Sequence, residues 1–265
     1  MPNSLNGSTS AIQMSSTDIC PVCEGLGSVP EIDKDRREVW ALCECVRREQ
    51  RKKRLKFAEV PAELQGHTIG SFDLDLYSPN SKDLAAKVKR MAANYVKDFA
   101  EYRTMGKGLY LYGSMPGSGK TRLAISIGNA LWKLHGASVG FKTVINLMNE
   151  IKATWGGSGD IDKQETQEKL IASICDAEVF IFDDIGTERP TPWVEEMLFH
   201  IIDTRKTKLK PTIFTSNCEA ENLCYCEKLT QRILNMAIPV QFPNESVRNS
   251  LTKSENERLQ LKLLE

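Results

Sequence analysis

The 265-residue chain has no apolar run near the ~18 residues that a membrane-spanning helix needs. It also has no excess of either charge, since Lys+Arg and Asp+Glu are both 35. That balance excludes a chain that coats nucleic acid through overall positive charge, while leaving room for a local basic patch. Histidine is scarce: His67, His135 and His200 are scattered without ligand spacing. Internal repeats and long low-complexity tracts are missing. Residues 1–17 lack the basic end and apolar stretch of a secretory signal, and their Ser, Asn and Thr content reads as a disordered tail. The expected compartment is therefore the cytoplasm, where the eight cysteines stay reduced or hold metal rather than pair.

What is present divides into parts. Residues 18–57 hold four cysteines and end in a charge run. Residues 58–80, with Pro61, Gly66, Gly70 and Pro79, read as a linker settling onto the next domain. From 81 to 265 helical and strand patterns alternate. Ala85 to Tyr102 is helix-like, and Leu109–Tyr112 is a short strand. Beyond Thr121, Leu123, Ala124, Ile127, Ala130, Leu131 and Leu134 form one helical stripe. Val139–Lys142 reads as a strand. Val179–Phe182 is a continuous apolar run, as in a strand buried on both faces of a parallel sheet. Trp193, Met197, Leu198, Ile201 and Ile202 make another helical stripe, and Pro211–Thr215 a further strand. Strands separated by helices predict an α/β three-layer domain with a central parallel sheet.

The strongest chemistry lies between the first of these strands and its helix, in Gly113, Ser114, Met115, Pro116, Gly117, Ser118, Gly119, Lys120 and Thr121. Glycines let a backbone turn tightly and aim N–H groups at phosphate oxygens, and the helix behind adds its positive end. Lys120 can reach the outer phosphates, and the Thr121 hydroxyl can take Mg²⁺. The usual pattern has Gly six residues before the Lys, where Ser114 stands. Either the loop is one residue longer, starting at Gly113, or Ser114 takes that corner. An acidic residue should end another buried strand, and Asp183 and Asp184 follow Phe182 directly. Neighbours on an extended strand point apart, so the two carboxylates should differ in role. Asp183 is assigned to Mg²⁺ and Asp184 to activating the attacking water.

Gly-Ser-Gly-Lys-Thr, then Phe-Asp-Asp-Ile-Gly (182–186), then Pro-Thr-Ile-Phe-Thr-Ser-Asn (211–217) resemble the DnaC/IstB group of AAA+ ATPases, from about Phe72 to Arg248. The resemblance implies an ATP-hydrolysing AAA+ P-loop domain. It further implies that Asn217 matches the sensor-1 position near the γ-phosphate. Arg232 would be an arginine finger inserted into a neighbour's site, with Arg205 a rival for that role. Arg248 would match the sensor-2 arginine. A finger supplied in trans implies ATP-dependent self-association, open or helical in form. Asp184 stands where faster AAA+ ATPases commonly carry Glu, which suggests slow hydrolysis.

Cys20-Pro-Val-Cys23 and Cys43-Glu-Cys45 are two close pairs that can supply four thiolates to a tetrahedral zinc. A segment this small lacks a core of its own, so a metal staple makes physical sense. The second pair is C-x-C rather than C-x-x-C, and reduced surface thiols are the simpler alternative. Zinc-bearing helicase loaders of the resembling group use such a module to grip the helicase. Cys218, Cys224 and Cys226 read as loop or core thiols, and Cys175 as core. The run 47–56, with seven basic residues and one acidic, is either a solvated helix face or a contact to a helicase or nucleic acid. Lys152, Trp155 and Gly156-Gly157 are candidates for contacting single-stranded DNA, Trp by stacking. Ser254–Glu265 reads as a charged amphipathic helix. The expectation is an ATP-dependent loader of the replicative hexameric helicase onto single-stranded DNA, with ATP, Mg²⁺ and Zn²⁺ as cofactors and no membrane. A transposition helper of the IstB type is the alternative. A small-molecule P-loop kinase is disfavoured by the Thr-Ser-Asn motif, and an adaptor that scarcely hydrolyses ATP differs only in turnover.

Overall fold

A computed structural model describes residues 20–32, 38–43, 45–46, 65–154, 161–248, 256 and 259–260. The tail 1–17, the basic run 47–56, Trp155, Gly156 and Gly157, and most of 254–265 lie outside these. The chain divides into two units, 1–53 and 54–265.

In the first unit, β1 (Ser28–Ile32) pairs antiparallel with β2 (Glu38–Leu42), Ser28 lying opposite Leu42. A turn precedes β1, with Glu24 N–H donating to Cys20 O (2.9 Å) and Leu26 N–H to Cys23 O (2.7 Å). Beyond β2 a second turn forms, Val46 N–H donating to Cys43 O (3.0 Å), and Cys43 N–H ties it to Gly27 O (2.9 Å). The hairpin thus brings the two cysteine turns together.

The second unit is a three-layer α/β domain. Its elements are α1 (Pro79–Lys97), α2 (Phe99–Thr104), β3 (Gly108–Tyr112), α3 (Lys120–His135), β4 (Val139–Thr143), α4 (Val144–Ala153), α5 (Ile161–Asp176), β5 (Val179–Asp183), α6 (Pro192–Thr207), β6 (Thr212–Ser216), α7 (Glu227–Met236) and β7 (Ala237–Gln241). The five strands are parallel, in the order β4-β5-β6-β3-β7. Side chains alternate across the sheet as the two-residue period requires. Leu109, Leu111, Val179, Ile181 and Ile213 face one core with α1 and α3. Tyr110, Phe180, Phe182 and Phe214 face the other with α4, α6 and α7. Both faces are covered, which is why β5 reads as an unbroken apolar run.

The helix expected over 85–102 breaks at Asp98 into α1 and α2, and α1 begins earlier, at Pro79 in its first turn. The stretch expected to be linker reaches further into the domain than its composition suggests. Phe72 and Tyr77 are buried in the first core. Strand β7 was not anticipated, because Pro239 within it lacks a donor. An edge position tolerates that loss, and β7 is an edge. Among the described residues no helix is long and apolar enough to cross a membrane.

Candidate nucleotide site and cysteine cluster

In open parallel sheets ligands bind beyond the carboxyl ends of the strands. Here β3 leads into the loop 113–119 and then into α3. Strand β6 lies between β3 and β5, so its tip stands between that loop and the acidic end of β5. The result is a cleft of about 370 Å³ lined by Gly117, Lys120, Thr121, Asp184, Asn217 and Arg248, among others.

The loop's glycines are there for conformation and space. Gly117 (φ 78°) and Gly119 (φ 95°) lie in the left-handed region. A Cβ on Gly119 would meet Tyr77 Oη at 2.9 Å, and one on Gly117 would meet Ser246 Oγ at 2.7 Å. Tyr77 Oη donates to Ser118 O (2.7 Å), fixing the loop from below. Lys120 is buried, and its ammonium donates to Gly113 O (2.9 Å), Met115 O (3.0 Å) and Ser118 Oγ (3.3 Å). Burial pulls the Lys120 ammonium below its ordinary range, against the opposing pull of Asp184 and Asp183. A buried cation held mainly by carbonyl dipoles has the chemistry to exchange them for anionic oxygens. Arg122 Nε, also in the cleft wall, is buried without a hydrogen-bond partner.

The two adjacent carboxylates do differ in placement. Asp183 ends β5, 4% exposed, and accepts from the hydroxyls of Thr121 (2.8 Å) and Thr215 (2.7 Å). Burial pushes the Asp183 carboxyl up and Thr215 draws it down; Asp184 raises it further, while Thr121 and Lys120 lower it. Asp184 has left the strand with φ 55°, which Asp tolerates better than most residues. Its N–H donates to Thr215 Oγ1 (2.9 Å) and its carbonyl accepts from Thr187 (2.7 Å), leaving its side chain in the cleft wall. Thr215 therefore joins both Asp residues through one hydroxyl. Sequence reasoning missed it, although a Thr two residues before Asn217 on a central strand was the available signal. A hydroxyl beside carboxylates is the hard-oxygen donor set that suits Mg²⁺.

Arg248 borders the cleft, while Arg232 does not line it. Arg232, on α7, is half-buried and ion-paired with Asp203 of α6 (2.9 Å). Arg205, expected as a rival for the trans-acting role, is placed where it cannot fill it. It is fully buried, donating to Ile174 O (2.6 Å), Ala177 O (2.9 Å), Pro211 O (2.8 Å) and Thr212 Oγ1 (3.0 Å). Burial draws its guanidinium down to about 9. It braces carbonyls at the ends of α5 and β6 and cannot reach a neighbour. His67, assigned no chemistry from sequence, lines the cleft. Lys152 lies 5.1 Å from the Trp193 ring, a cation–π contact within the domain.

In the first unit, Cys20, Cys23, Cys43 and Cys45 bring their sulfurs within 4.8 Å of one another. Cys20 Sγ is 3.9 Å from Cys43 Sγ, and Cys23 Sγ is 3.3 Å from Cys45 Sγ. A tetrahedral zinc at ~2.3 Å from each sulfur needs edges of ~3.8 Å, so the set fits that ion. Backbone N–H groups of Cys23 and Val22 hold the Cys20 thiol down to about 6, and sharing with Cys23 pushes Cys45 up to about 12. Among the described residues no other group of three or more metal-ligating side chains converges like this. Cys218, Cys224 and Cys226 do not, and Cys175 is buried in the second core.

With this geometry in place, the relatives are informative. The family profile described as IstB-like ATP binding protein matches residues 39–254. The chain is 30% identical over 133 residues to the replicative helicase loader DnaC of Buchnera aphidicola subsp. Schizaphis graminum, covering 50% of each chain. It thus spans about half the length of the curated relatives it matches. Superposition on the crystal structure of the DnaI protein gives a TM-score of 0.56 at 26% identity, covering 70% of this chain and 96% of that one. The crystal structure of the DnaC helicase loader gives 0.57 at 24%, covering 69% and 99%, which shows a shared three-layer fold.

Proposed function

We propose, from the premise that this chain belongs to the family of IstB-like ATP binding proteins, that it is an ATPase that loads the replicative hexameric helicase onto single-stranded DNA. The observation that carries the reading is one cleft. Lys120, Thr121, Asp184 and Asn217 converge there at the carboxyl ends of β3, β5 and β6, with Asp183 hydrogen-bonded to Thr121 behind them.

In this reading the N–H groups of 113–119 hold the phosphates, and Lys120 leaves its loop carbonyls to bind the outer ones. Thr121 and Asp183 would hold Mg²⁺, which when bound would supply neutralisation of the charge on the transferring phosphate. Asp184 takes the proton of the attacking water, and Asn217 orients that water. Arg232 releases Asp203 to enter a neighbour's cleft, so turnover requires self-association, while Arg248 serves the cleft of its own chain. The four cysteines hold zinc, and their unit grips the helicase. Its exposed Val22, Leu26 and Trp40 offer apolar contact area of the kind that partners cover. We place the protein in the cytoplasm, where its partners would be. The family description favours a second reading, an IstB-like helper that oligomerises on DNA and recruits a transposase.

The test is size-exclusion with light scattering of the chain mixed with its host's replicative helicase, with and without ATP–Mg²⁺. The loader reading expects a co-complex that is lost when residues 1–53 are deleted. ATP-dependent filaments on duplex DNA without helicase capture would favour the transposition helper.

A further inference from the structure

Ser114 is the residue by which the phosphate loop departs from its usual pattern, and the structure gives it a partner 130 positions away. Its hydroxyl donates to Asn244 Oδ1 at 2.6 Å. Ser114 is not among the residues with positive φ, so this corner does not require glycine and a side chain is free to bond. An exposed hydrogen bond alone is worth little. This one belongs to a series. Phe242 N–H donates to Tyr112 O (2.7 Å), and Val247 and Arg248 N–H both donate to Gly117 O (3.1 and 3.2 Å). Glu245 accepts from Ser78 N–H (3.2 Å) and Ser78 Oγ (2.9 Å) at the start of α1. Buried Phe242 and Val247 anchor the segment to the first core. The stretch 242–248 therefore runs beside the phosphate loop and fastens both of its flanks. It also carries Arg248 into the cleft wall.

We propose that Asn244 is a positioning residue for the phosphate loop, acting through Ser114, and that the segment 244–248 is a clasp whose closure and nucleotide binding favour each other. The inference rests on the nucleotide-site reading above. The loop and Arg248 are held by the same short segment, so a phosphate that fixes the loop must also fix the clasp. Linkage makes the effect reciprocal. Weakening the clasp weakens nucleotide binding, and bound nucleotide slows exchange of the Val247 and Arg248 amide hydrogens.

The experiment uses the full chain with ATP and Mg²⁺, in wild type, Ser114→Gly, Asn244→Ala and the double variant. Equilibrium titration should show Kd raised about 3- to 10-fold by either single change, and no further by the double, since both remove one bond. Hydrogen exchange should show that ATP protects Val247 and Arg248 in wild type and protects them less in each variant. Ser114 and Asn244 are exposed, so folding should be unaffected by their substitution, which a thermal melt checks. Affinities within twofold of wild type, or additive losses in the double variant, would overturn the clasp and leave the nucleotide site standing. A wild-type chain that bound no ATP would overturn both.

Discussion

In the unit carrying Cys20, the buried side chains among the described residues are Cys23 and Cys43. In the α/β unit the buried set includes most of β3, β5 and β6, with apolar side chains on both sheet faces. The first region has a two-stranded hairpin and four converging sulfurs, and the second has five strands between two helical layers. A small surface cannot bury enough apolar area to offset chain entropy, whereas a large one can. On the proposal that the four sulfurs hold zinc, order in the first region depends on a few strong bonds at one point. Order in the second is spread over many weak contacts. The same contrast extends to chemistry. The large unit can afford a buried lysine and a buried carboxylate, because its core holds them in place.

The contrast is sharpest when its point of concentration is removed. If the proposed zinc ligation holds, Cys43→Ser disorders the region 20–46 outright, because structural zinc supplies roughly 10–16 kcal/mol in such modules. Zinc content should fall well below one per chain, with fast amide exchange across β1 and β2, while the main thermal transition stays put. A hairpin still protected in the variant would break the contrast.

In the large unit no one bond should matter as much, and the buried Arg205 supplies a weaker counterpart. Arg205→Met should cost about 3 kcal/mol or more, because the carbonyls of Ile174, Ala177 and Pro211 lose their donors inside the protein. Chemical denaturation would show the midpoint falling. A neutral outcome would mean that water replaces the guanidinium.

Asp183→Asn should separate function from stability. Burial raises the Asp183 carboxyl, so the folded state binds its proton more tightly than the unfolded state does. The ionised form therefore opposes folding at neutral pH, and that penalty is relieved as pH falls through the raised value. Asn keeps an acceptor for Thr121 and Thr215 without the charge. The expected result is an unchanged or higher melting temperature at pH 7. ATP hydrolysis should fall about 100-fold or more, the scale of losing one electrostatic group at a reacting centre. The variant's gain in stability over wild type should shrink in acid. Lost stability at pH 7 would contradict this account of the carboxylate.

The smallest effect belongs to ordinary helix capping. Thr143 Oγ1 accepts from Asn146 N–H (3.3 Å) at the start of α4, so Thr143→Ala should cost about 1 kcal/mol. That loss should be visible in a urea melt and invisible in zinc content, which again separates the two regions.

The fold was legible because alternation and helical stripes are local signals. Val179–Phe182 and the stripe after Thr121 mark their elements within a few residues. The hairpin β1–β2 was hidden, since its pairing depends on the cysteine turns rather than on an apolar face. Strand β7 was hidden by Pro239. In the site, the loop 113–121 and the Asp pair announce themselves by residue type and order. The roles of Tyr77, Thr215 and Asn244 do not, since each is set by a contact 31 to 130 positions away. Arg205 shows the opposite failure. A charged residue at the end of a helix looks exposed in sequence, but four acceptors make its burial tolerable.

The division of labour proposed for the two regions meets its most direct test in one measurement. Cys43→Ser protein, saturated with ATP–Mg²⁺, would be passed with the replicative helicase over a size-exclusion column with light scattering. The account predicts that nucleotide remains bound while the helicase elutes alone. Capture of the helicase at wild-type level by the variant would contradict it.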